Sequence, residues 1–222
     1  MSSTLTSEPV ASLLNQLFAD AAKSDQLMRQ MFGNLSPEER AKRMADPNAD
    51  YRAFYARAKD IHLAVAPETG QLLYMLARAC KARVIVEYGT SFGISTIHLA
   101  AALRENGGGK LIGTEFEPSK LARARENLLA AGVSDLVEIR EGDAVQTLAR
   151  DLPDAIDLVL LDGHKALYAQ ILALLAPHLR VGALLIADNA DASPAYKTLV
   201  RSPGSGYLSI PFGDDVELTM KL

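Results

Sequence analysis

From about residue 68 onward, short apolar runs alternate with segments of helical periodicity, and this alternation constrains the fold more than any other feature of the chain. Near-continuous apolar runs such as 158–161 are typical of parallel strands that are covered on both faces of a sheet. The pattern predicts strands at 83–88, 110–115, 136–140, 156–161 and 181–187. Between them it predicts helices at 67–80, 94–105, 118–131, 144–150 and 165–176. Alternation of this kind indicates an α/β fold built around a doubly wound sheet.

The carboxyl-terminal end follows a different pattern, because apolar residues alternate on both sides of a turn at 213–215. The alternating residues are Leu208, Ile210, Phe212, Val216, Leu218 and Met220. Alternation around a turn predicts two antiparallel strands joined as a hairpin. We therefore expect a mostly parallel sheet that ends in an antiparallel hairpin.

Residues 1–60 lack this alternation and are predicted to form a helical cover. One helix carries an apolar stripe of Val10, Leu13, Leu14, Leu17, Phe18 and Ala21. Further along, the segment 36–39 (SPEE) combines a capping box with a proline at the first helical position. We interpret 1–60 as an amino-terminal arm that belongs to the same domain as 61–222.

The apolar stripe of the arm has two interpretations. It either covers the arm's own sheet or packs across a homodimer interface, with Leu13, Leu17 and Phe18 among the buried residues. The arm is also rich in basic residues, which fit a solvated helix face better than a docking surface. These residues are Arg40, Lys42, Arg43, Arg52 and Arg57.

The composition argues against several classes of protein. The 222 residues suit one large domain, and 49% hydrophobic residues suffice for a sizeable core. A net charge of -4 argues against a nucleic-acid partner, which usually binds a basic face. A single cysteine excludes an intramolecular disulfide. The sequence has neither an apolar stretch of membrane-spanning length nor a signal peptide, so we expect a cytoplasmic protein without a membrane partner.

A glycine-containing turn follows the first predicted strand and indicates a ligand. Gly89 and Gly93 let the backbone approach a ligand beyond the carboxyl end of that strand. Glu115 ends the second strand, 26 residues after Gly89, where an acid can hold both hydroxyls of a ribose. It could instead be a surface acid or a partner of Lys120. Asp143, after the third strand, can accept a hydrogen bond from an adenine amino group or cap the following helix. This set fits a nucleoside without phosphates.

Polar residues also end the fourth and fifth strands. Asp162 and Lys165 follow the fourth strand, and Asp188-Asn189 follow the fifth. Two carboxylates and an amide oxygen form an incomplete set of oxygen ligands of the kind that Mg²⁺ prefers. Lys165 would lie close to such a cation and could serve as a base. Each Asp taken alone is more typical of a turn at the end of a strand, but the two Asp residues together favour a metal-binding site.

These motifs together resemble those of the cation-dependent, S-adenosylmethionine (SAM)-dependent O-methyltransferases, the family of catechol and caffeoyl-CoA O-methyltransferases. The resemblance covers about residues 60–222. The matching segments are VAPETG (65–70), EYGTSFGIS (87–95), Glu115, GDA (142–144), DGHKALY (162–168), DN (188–189) and the terminal hairpin.

The resemblance implies a Rossmann-like methyltransferase fold. It also implies that the methyl group of SAM is transferred to a hydroxyl of a small, catechol-type aromatic with the help of Mg²⁺ or another divalent cation. The residues expected around the methionine part of SAM are Val65, Glu87, Gly89, Ser91 and Ser95. Those expected around the nucleoside are Glu115 for the ribose and Asp143 with Ala144 for the adenine. The expected metal ligands are Asp162, Asp188 and Asn189, with Asp162 also facing the cofactor and the reacting groups, and Lys165 acting as the base.

Two features depart from the family pattern. His164 lies between the metal-binding Asp and the lysine, either as a substrate contact or, more simply, as a solvent-facing loop residue. The other histidines, His62, His98 and His178, are interpreted as structural. The region 190–209 is short for the family and helps to shape the substrate mouth. This short region leaves the identity of the acceptor open. The alternatives to the interpretation above are a metal-independent methyltransferase with another acceptor, or a cofactor-binding protein without catalysis. The second is disfavoured by the presence of all four residues Asp162, Lys165, Asp188 and Asn189.

Overall fold

The structure is a computed structural model that describes residues 3–33, 36, 38, 39, 42, 46, 50–213 and 215–222. Its strands are β1 (Val84–Tyr88), β2 (Lys110–Glu115), β3 (Val137–Glu141), β4 (Ile156–Leu161), β5 (Leu179–Ala187), β6 (Tyr207–Phe212) and β7 (Val216–Lys221). We label the α-helices α1 (Val10–Phe32), α2 (Tyr51–Arg57), α3 (Pro67–Ala79), α4 (Ile94–Glu105), α5 (Pro118–Ala130), α6 (Ala144–Thr147), α7 (Tyr168–Leu175) and α8 (Pro194–Arg201). Short 3₁₀ turns cover Thr4–Thr6, Ser134–Leu136, Lys165–Leu167, Ala176–His178 and Ala190–Ala192.

The seven strands form one sheet in the order β3-β2-β1-β4-β5-β7-β6. The pairs from β3 through β5 are parallel, whereas β7 runs antiparallel to both β5 and β6. The predicted fold class, a doubly wound parallel sheet with an antiparallel hairpin, is therefore confirmed. The strand order reverses between β1 and β4, and this reversal creates the crevice in which such sheets bind ligands.

The observed elements differ from the predicted ones at a few ends. Strand β5 begins two residues before the predicted start at 181, and α6 ends at Thr147 rather than at 150. The helix predicted from 165 opens as a 3₁₀ turn and becomes α-helical only at Tyr168. The region 190–209, for which no helix was predicted, contains α8, which begins with Pro194 at its first position.

Apolar side chains cover both faces of the sheet. On one face, Tyr168 and Tyr196 pack with Val159 in a cluster to which α7 and α8 contribute. On the other face, Leu73 of α3 and Leu99 of α4 pack over the centre of the sheet. Within the described residues, no helix combines the length and the apolar character that crossing a membrane requires.

The apolar stripe of the arm packs within its own chain. Leu14 and Leu17 of α1 are buried against Ile97 of α4 and Leu128 of α5. Leu13 and Phe18 are only partly buried at the edge of the same cluster. The first of the two interpretations therefore accounts for the stripe, which no longer argues for a dimer.

The predicted capping box is also observed. The Glu39 backbone N–H donates to Ser36 Oγ (3.2 Å), and the Ser36 N–H donates to a Glu39 carboxylate oxygen (2.7 Å). Pro37, Arg40 and Arg43 lie outside the described residues.

Candidate active site

The loop after β1 brings the chain close to the loop after β4. Gly89 has a φ of 100°, and a Cβ added there would lie 2.6 Å from the backbone oxygen of Asp162. Only glycine allows this approach at this backbone angle. Gly93 also has a positive φ, 85°, and immediately precedes α4. The two glycines thus form the turn that the sequence indicated.

Two adjacent cavities, a larger and a smaller one, lie at this edge of the sheet. Gly89, Ser91 and Asp162 line both of them. The predicted nucleoside-binding residues Glu115, Asp143 and Ala144 line the larger cavity. The predicted methionine-binding residues that line the smaller cavity are Val65, Gly89, Ser91 and Ser95.

Glu87 was predicted beside the methionine part of the cofactor, but its side chain lies beneath the loop and lines neither cavity. It is fully buried, and its carboxylate accepts hydrogen bonds from the hydroxyls of Thr90 (3.0 Å), Ser95 (2.6 Å) and Thr96 (2.6 Å). Burial raises the pKa of Glu87 to about 7, against the opposing effect of these three donors. Glu87 therefore positions the loop and the first turn of α4.

Glu115 is buried, not a surface acid. One carboxylate oxygen accepts from the N–H of Ser91 (2.9 Å), and the other accepts from the N–H groups of Phe116 and Glu117 (both 2.9 Å). Burial raises the pKa of Glu115, while these N–H groups and Lys120 lower it. Among the ion pairs of the described residues, none joins Glu115 directly to Lys120, whose ammonium donates to Ser91 Oγ (3.2 Å) instead.

Asp143 fulfils the capping role predicted for it, because one of its oxygens accepts from the N–H of Val145 (3.0 Å) at the start of α6. The other oxygen accepts from the hydroxyl of Tyr51 (3.1 Å) and pairs with the guanidinium of Arg52. These hydrogen bonds hold the pKa of Asp143 below its usual range despite partial burial. Helix α2 of the arm thus reaches the carboxylate at the far end of the larger cavity.

His164 is buried, so its interpretation as a solvent-facing residue was wrong. Its ring stacks on Tyr51 at a centroid distance of 5.0 Å, and Tyr55 meets it edge-on at 6.3 Å. Both tyrosines and Phe116 line the larger cavity. The site predicted from the sequence did not include these aromatic residues or the cavity position of Lys120. The spacing of Tyr51 and Tyr55, four residues apart on one helix face, was the available signal.

The other histidines behave mainly as predicted. His98 is buried, and its Nδ1 lies 2.8 Å from the Ile94 carbonyl oxygen. His62 stacks on Phe92 at 4.1 Å and also lines the smaller cavity. His178 ends a 3₁₀ turn just before β5.

Asp162 and Asp188 lie side by side because each extends the hydrogen-bond ladder of neighbouring parallel strands. The Asp162 N–H donates to the Tyr88 carbonyl (2.8 Å), and the Asp188 N–H donates to the Leu161 carbonyl (2.9 Å). Lys165 is buried and donates to Asp162 (2.8 Å). Burial and the nearby negative charge of Asp162 raise the pKa of Asp188 well above its usual range.

The donor set at this point fits a small hard cation. The described residues contain no cluster of three His, Cys, Asp or Glu side chains that could hold a metal. A site here therefore needs the amide oxygen of Asn189 besides the two carboxylates, which is the predicted set. The Asn189 amide nitrogen donates to Asp215 (2.9 Å), which leaves its oxygen for a cation. All these ligand atoms are oxygens, as Mg²⁺ prefers.

Comparison with known proteins gives the family. A family model described as a methyltransferase domain matches residues 86–190. The catechol O-methyltransferase of Mycobacterium tuberculosis is 38% identical over 153 residues, which cover 62% of this chain and 67% of the relative. The chain belongs to the O-methyltransferase family. A catechol O-methyltransferase of Niastella koreensis is 35% identical over 130 residues, 57% of this chain and 58% of the relative.

The chain thus spans 58% of the length of the Niastella relative and 67% of the length of the Mycobacterium relative. A solved structure extends the similarity to nearly the whole chain. The O-methyltransferase TomG of Streptomyces achromogenes, in complex with SAM, has a TM-score of 0.64 and 26% identity. The match covers 90% of this chain and 96% of that one.

Proposed function

We propose that this member of the O-methyltransferase family transfers the methyl group of SAM to a hydroxyl of a small, catechol-type aromatic, with the help of a divalent cation. The observation that carries the proposal is the position of Asp162. It lines both cavities, pairs with Lys165 and lies beside Asp188. A donor bound in the cavities and an acceptor bound at the carboxylates would therefore meet at one residue.

The larger cavity suits the nucleoside part of SAM. Glu115 would accept a hydrogen bond from the ribose. Asp143 would accept one from the adenine amino group, beside or in place of its contacts with Tyr51 and Arg52. The smaller cavity, lined by Val65 and Ser95, suits the methionine part. The structural relative from Streptomyces achromogenes was solved in complex with SAM, which supports SAM as the ligand of this fold.

Methyl transfer requires the acceptor oxygen to be held in line with the methyl group and its sulfur. Asp162, Asp188 and Asn189 would hold the cation, which when bound supplies Lewis-acid chemistry that lowers the pKa of the acceptor hydroxyl. Lys165, in its uncharged amine form, would take the proton of that hydroxyl and become an ammonium, and Asp162 keeps the lysine in place. The new bond joins the methyl carbon to the acceptor oxygen, while the sulfur keeps the electron pair of the broken bond.

The test is turnover of a panel of catechols with Mg²⁺, in the presence and absence of a chelator. Asp188→Ala is expected to weaken metal affinity, with partial rescue by excess Mg²⁺. Asp191→Ala is the matched control, because this acid lies three residues away with a side chain that is 70% exposed. Unchanged turnover in chelator would favour the metal-independent alternative. SAM binding without turnover of any acceptor would favour the non-catalytic one.

We further propose that the arm is part of the same domain as 61–222, since α1 completes a core cluster with α4 and α5. A homodimer and a cytoplasmic location stay predictions. Sedimentation analysis at micromolar concentration tests the dimer, and a monomer would contradict it.

A further inference from the structure

Lys120 is a buried cation that the proposed mechanism does not use. It lies in the first turn of α5, is 3% exposed and lines the larger cavity. Its ammonium donates to the neutral Ser91 hydroxyl (3.2 Å) and lies 5.6 Å from the centre of the Phe92 ring. Within the described part of the chain, no carboxylate lies within 4 Å of it.

An ammonium group carries three N–H donors, and the described residues occupy only one of them. Burying a cation without hydrogen-bond partners is unfavourable. Glu115, Glu117, Asp162 and Asp60 attract the charge from a distance but do not supply the missing acceptors. The position of Lys120 in the cavity wall therefore calls for acceptors on a ligand.

Glu115, the neighbouring acid, already has most of its hydrogen-bond partners within the chain, in contrast to Lys120. Its two oxygens offer about four acceptor positions, and three are taken by the backbone N–H groups of Ser91, Phe116 and Glu117. The carboxylate can thus accept one hydroxyl hydrogen without displacing a backbone donor. A ribose presents two adjacent hydroxyls, each of which both donates and accepts. Glu115, with a single free acceptor position, cannot by itself form hydrogen bonds with both hydroxyls.

We propose that Lys120 recognises the ribose together with Glu115, by donating a hydrogen bond to a ribose hydroxyl oxygen. This inference rests on the proposed function, because it takes SAM as the ligand. Glu115 accepts and Lys120 donates, so the pair matches a diol and discriminates against nucleosides that lack one hydroxyl. Ser91 holds both partners, through its N–H to Glu115 and its hydroxyl to Lys120.

The carboxylate of the methionine part of SAM is the other acceptor that an ammonium could bind. The cavity geometry favours the ribose, because Lys120 lines the larger cavity with Glu115 and Asp143. It is not among the residues around the smaller cavity, where Val65 and Ser95 lie.

Calorimetry with three kinds of probe tests the proposal. S-adenosylhomocysteine contains both halves of the cofactor, 5′-methylthioadenosine lacks the amino-acid half, and the 2′-deoxy and 3′-deoxy forms of 5′-methylthioadenosine each lack one hydroxyl. Lys120→Met should weaken binding of the first two by a similar factor, about 10- to 100-fold, the usual effect of losing a hydrogen bond to a charged group. For the deoxy probe that lacks the contacted hydroxyl, Lys120→Met and the wild type should have the same affinity.

Arg123→Met is the matched control, because this cation lies on the same helix with a side chain that is 63% exposed. Lys120→Leu also removes the N–H donors and the charge, and it replaces the Met variant if that variant does not fold. A loss for S-adenosylhomocysteine but not for 5′-methylthioadenosine would overturn the proposal in favour of the carboxylate. Equal affinity of the variant and wild type for both probes would also overturn it. Failure of the wild type to bind S-adenosylhomocysteine would instead overturn the proposed function.

Discussion

The buried acids of β1 and β2 have different surroundings from the acids that follow β4 and β5. We call the part of the site at β1 and β2 its first half and the part at β4 and β5 its second half. In the first half, Glu87 and Glu115 each accept three hydrogen bonds from nearby hydroxyls or backbone N–H groups. In the second half, Asp162 and Asp188 lie side by side with one lysine, and burial together with the nearby charge of Asp162 raises the pKa of Asp188 well above its usual range.

From this difference we expect the first half to bind the cofactor and the second half to carry out the chemistry. The acids of the first half are held by the chain itself, so that half is organised before any ligand arrives. The second half buries two carboxyl groups next to a single ammonium, which is a poor arrangement for stability and a good one for holding a cation. Changes in the second half should therefore alter turnover, whereas changes in the first half should alter stability and cofactor affinity.

The largest expected effect tests the second half. Lys165→Met removes the proposed base and should lower kcat about 10²- to 10⁴-fold, the usual contribution of general-base catalysis. The loss should shrink as the pH rises, because the acceptor hydroxyl then ionises without help. SAM affinity, measured by calorimetry, should stay nearly unchanged. Lys197→Met is the control, since Lys197 pairs with Asp191 outside both cavities. A near-normal kcat at neutral pH would show that Lys165 is structural.

The second prediction concerns stability in the first half. Burial raises the pKa of Glu87 from 4.5 to about 7, so the folded chain keeps a proton that the unfolded chain loses. The free energy of unfolding should therefore fall between about pH 4.5 and pH 7 and level off above, by about 3 kcal/mol in total. Glu87→Gln should remove this contribution, as urea unfolding at pH 5 and pH 8 can measure. Glu126→Gln, an exposed acid on α5, should leave the pH dependence as it is in wild type.

A smaller effect is expected at the ribose position. Glu115→Ala should weaken SAM binding by roughly 1.5–3 kcal/mol, the value of a hydrogen bond to a charged group, while kcat at saturating SAM changes little. Glu141→Ala is a close control, because Glu141 pairs in register with Glu115 on the next strand and is exposed. Equal SAM affinities of the two variants in calorimetry would remove Glu115 from the site.

The smallest expected effect concerns the contact between helix α2 of the arm and Asp143, which lines the larger cavity. Arg52 pairs with Asp143, the carboxylate that the adenine amino group would need. An exposed ion pair contributes up to about 1 kcal/mol, so Arg52→Ala should tighten SAM binding by no more than about fivefold. Arg57→Ala removes an exposed charge from the same helix and should have no effect. Weaker binding by Arg52→Ala would mean that this ion pair helps to form the site.

Much of the site followed from the sequence because its residues stand at the ends of strands. Parallel strands bring their carboxyl ends to one edge of a sheet, so Glu115, Asp162 and Asp188 had to lie along that edge once the strands were located. The limits of β1 and β4 agree with the prediction to within one residue. The hairpin was equally predictable, because alternation of apolar residues around a turn has few other solutions.

Other side chains and helices are not fixed by a position at a strand end. Only the tertiary structure decided where they lie. Glu87 stands at a strand end like the other acids, but its side chain faces the hydroxyls beneath the loop. An apolar stripe looks the same whether it covers its own domain or a partner, so only packing showed that α1 lies on α4 and α5. Likewise, the burial of Lys120 and the stacking of Tyr51 on His164 depend on contacts between distant segments, which local periodicity does not encode.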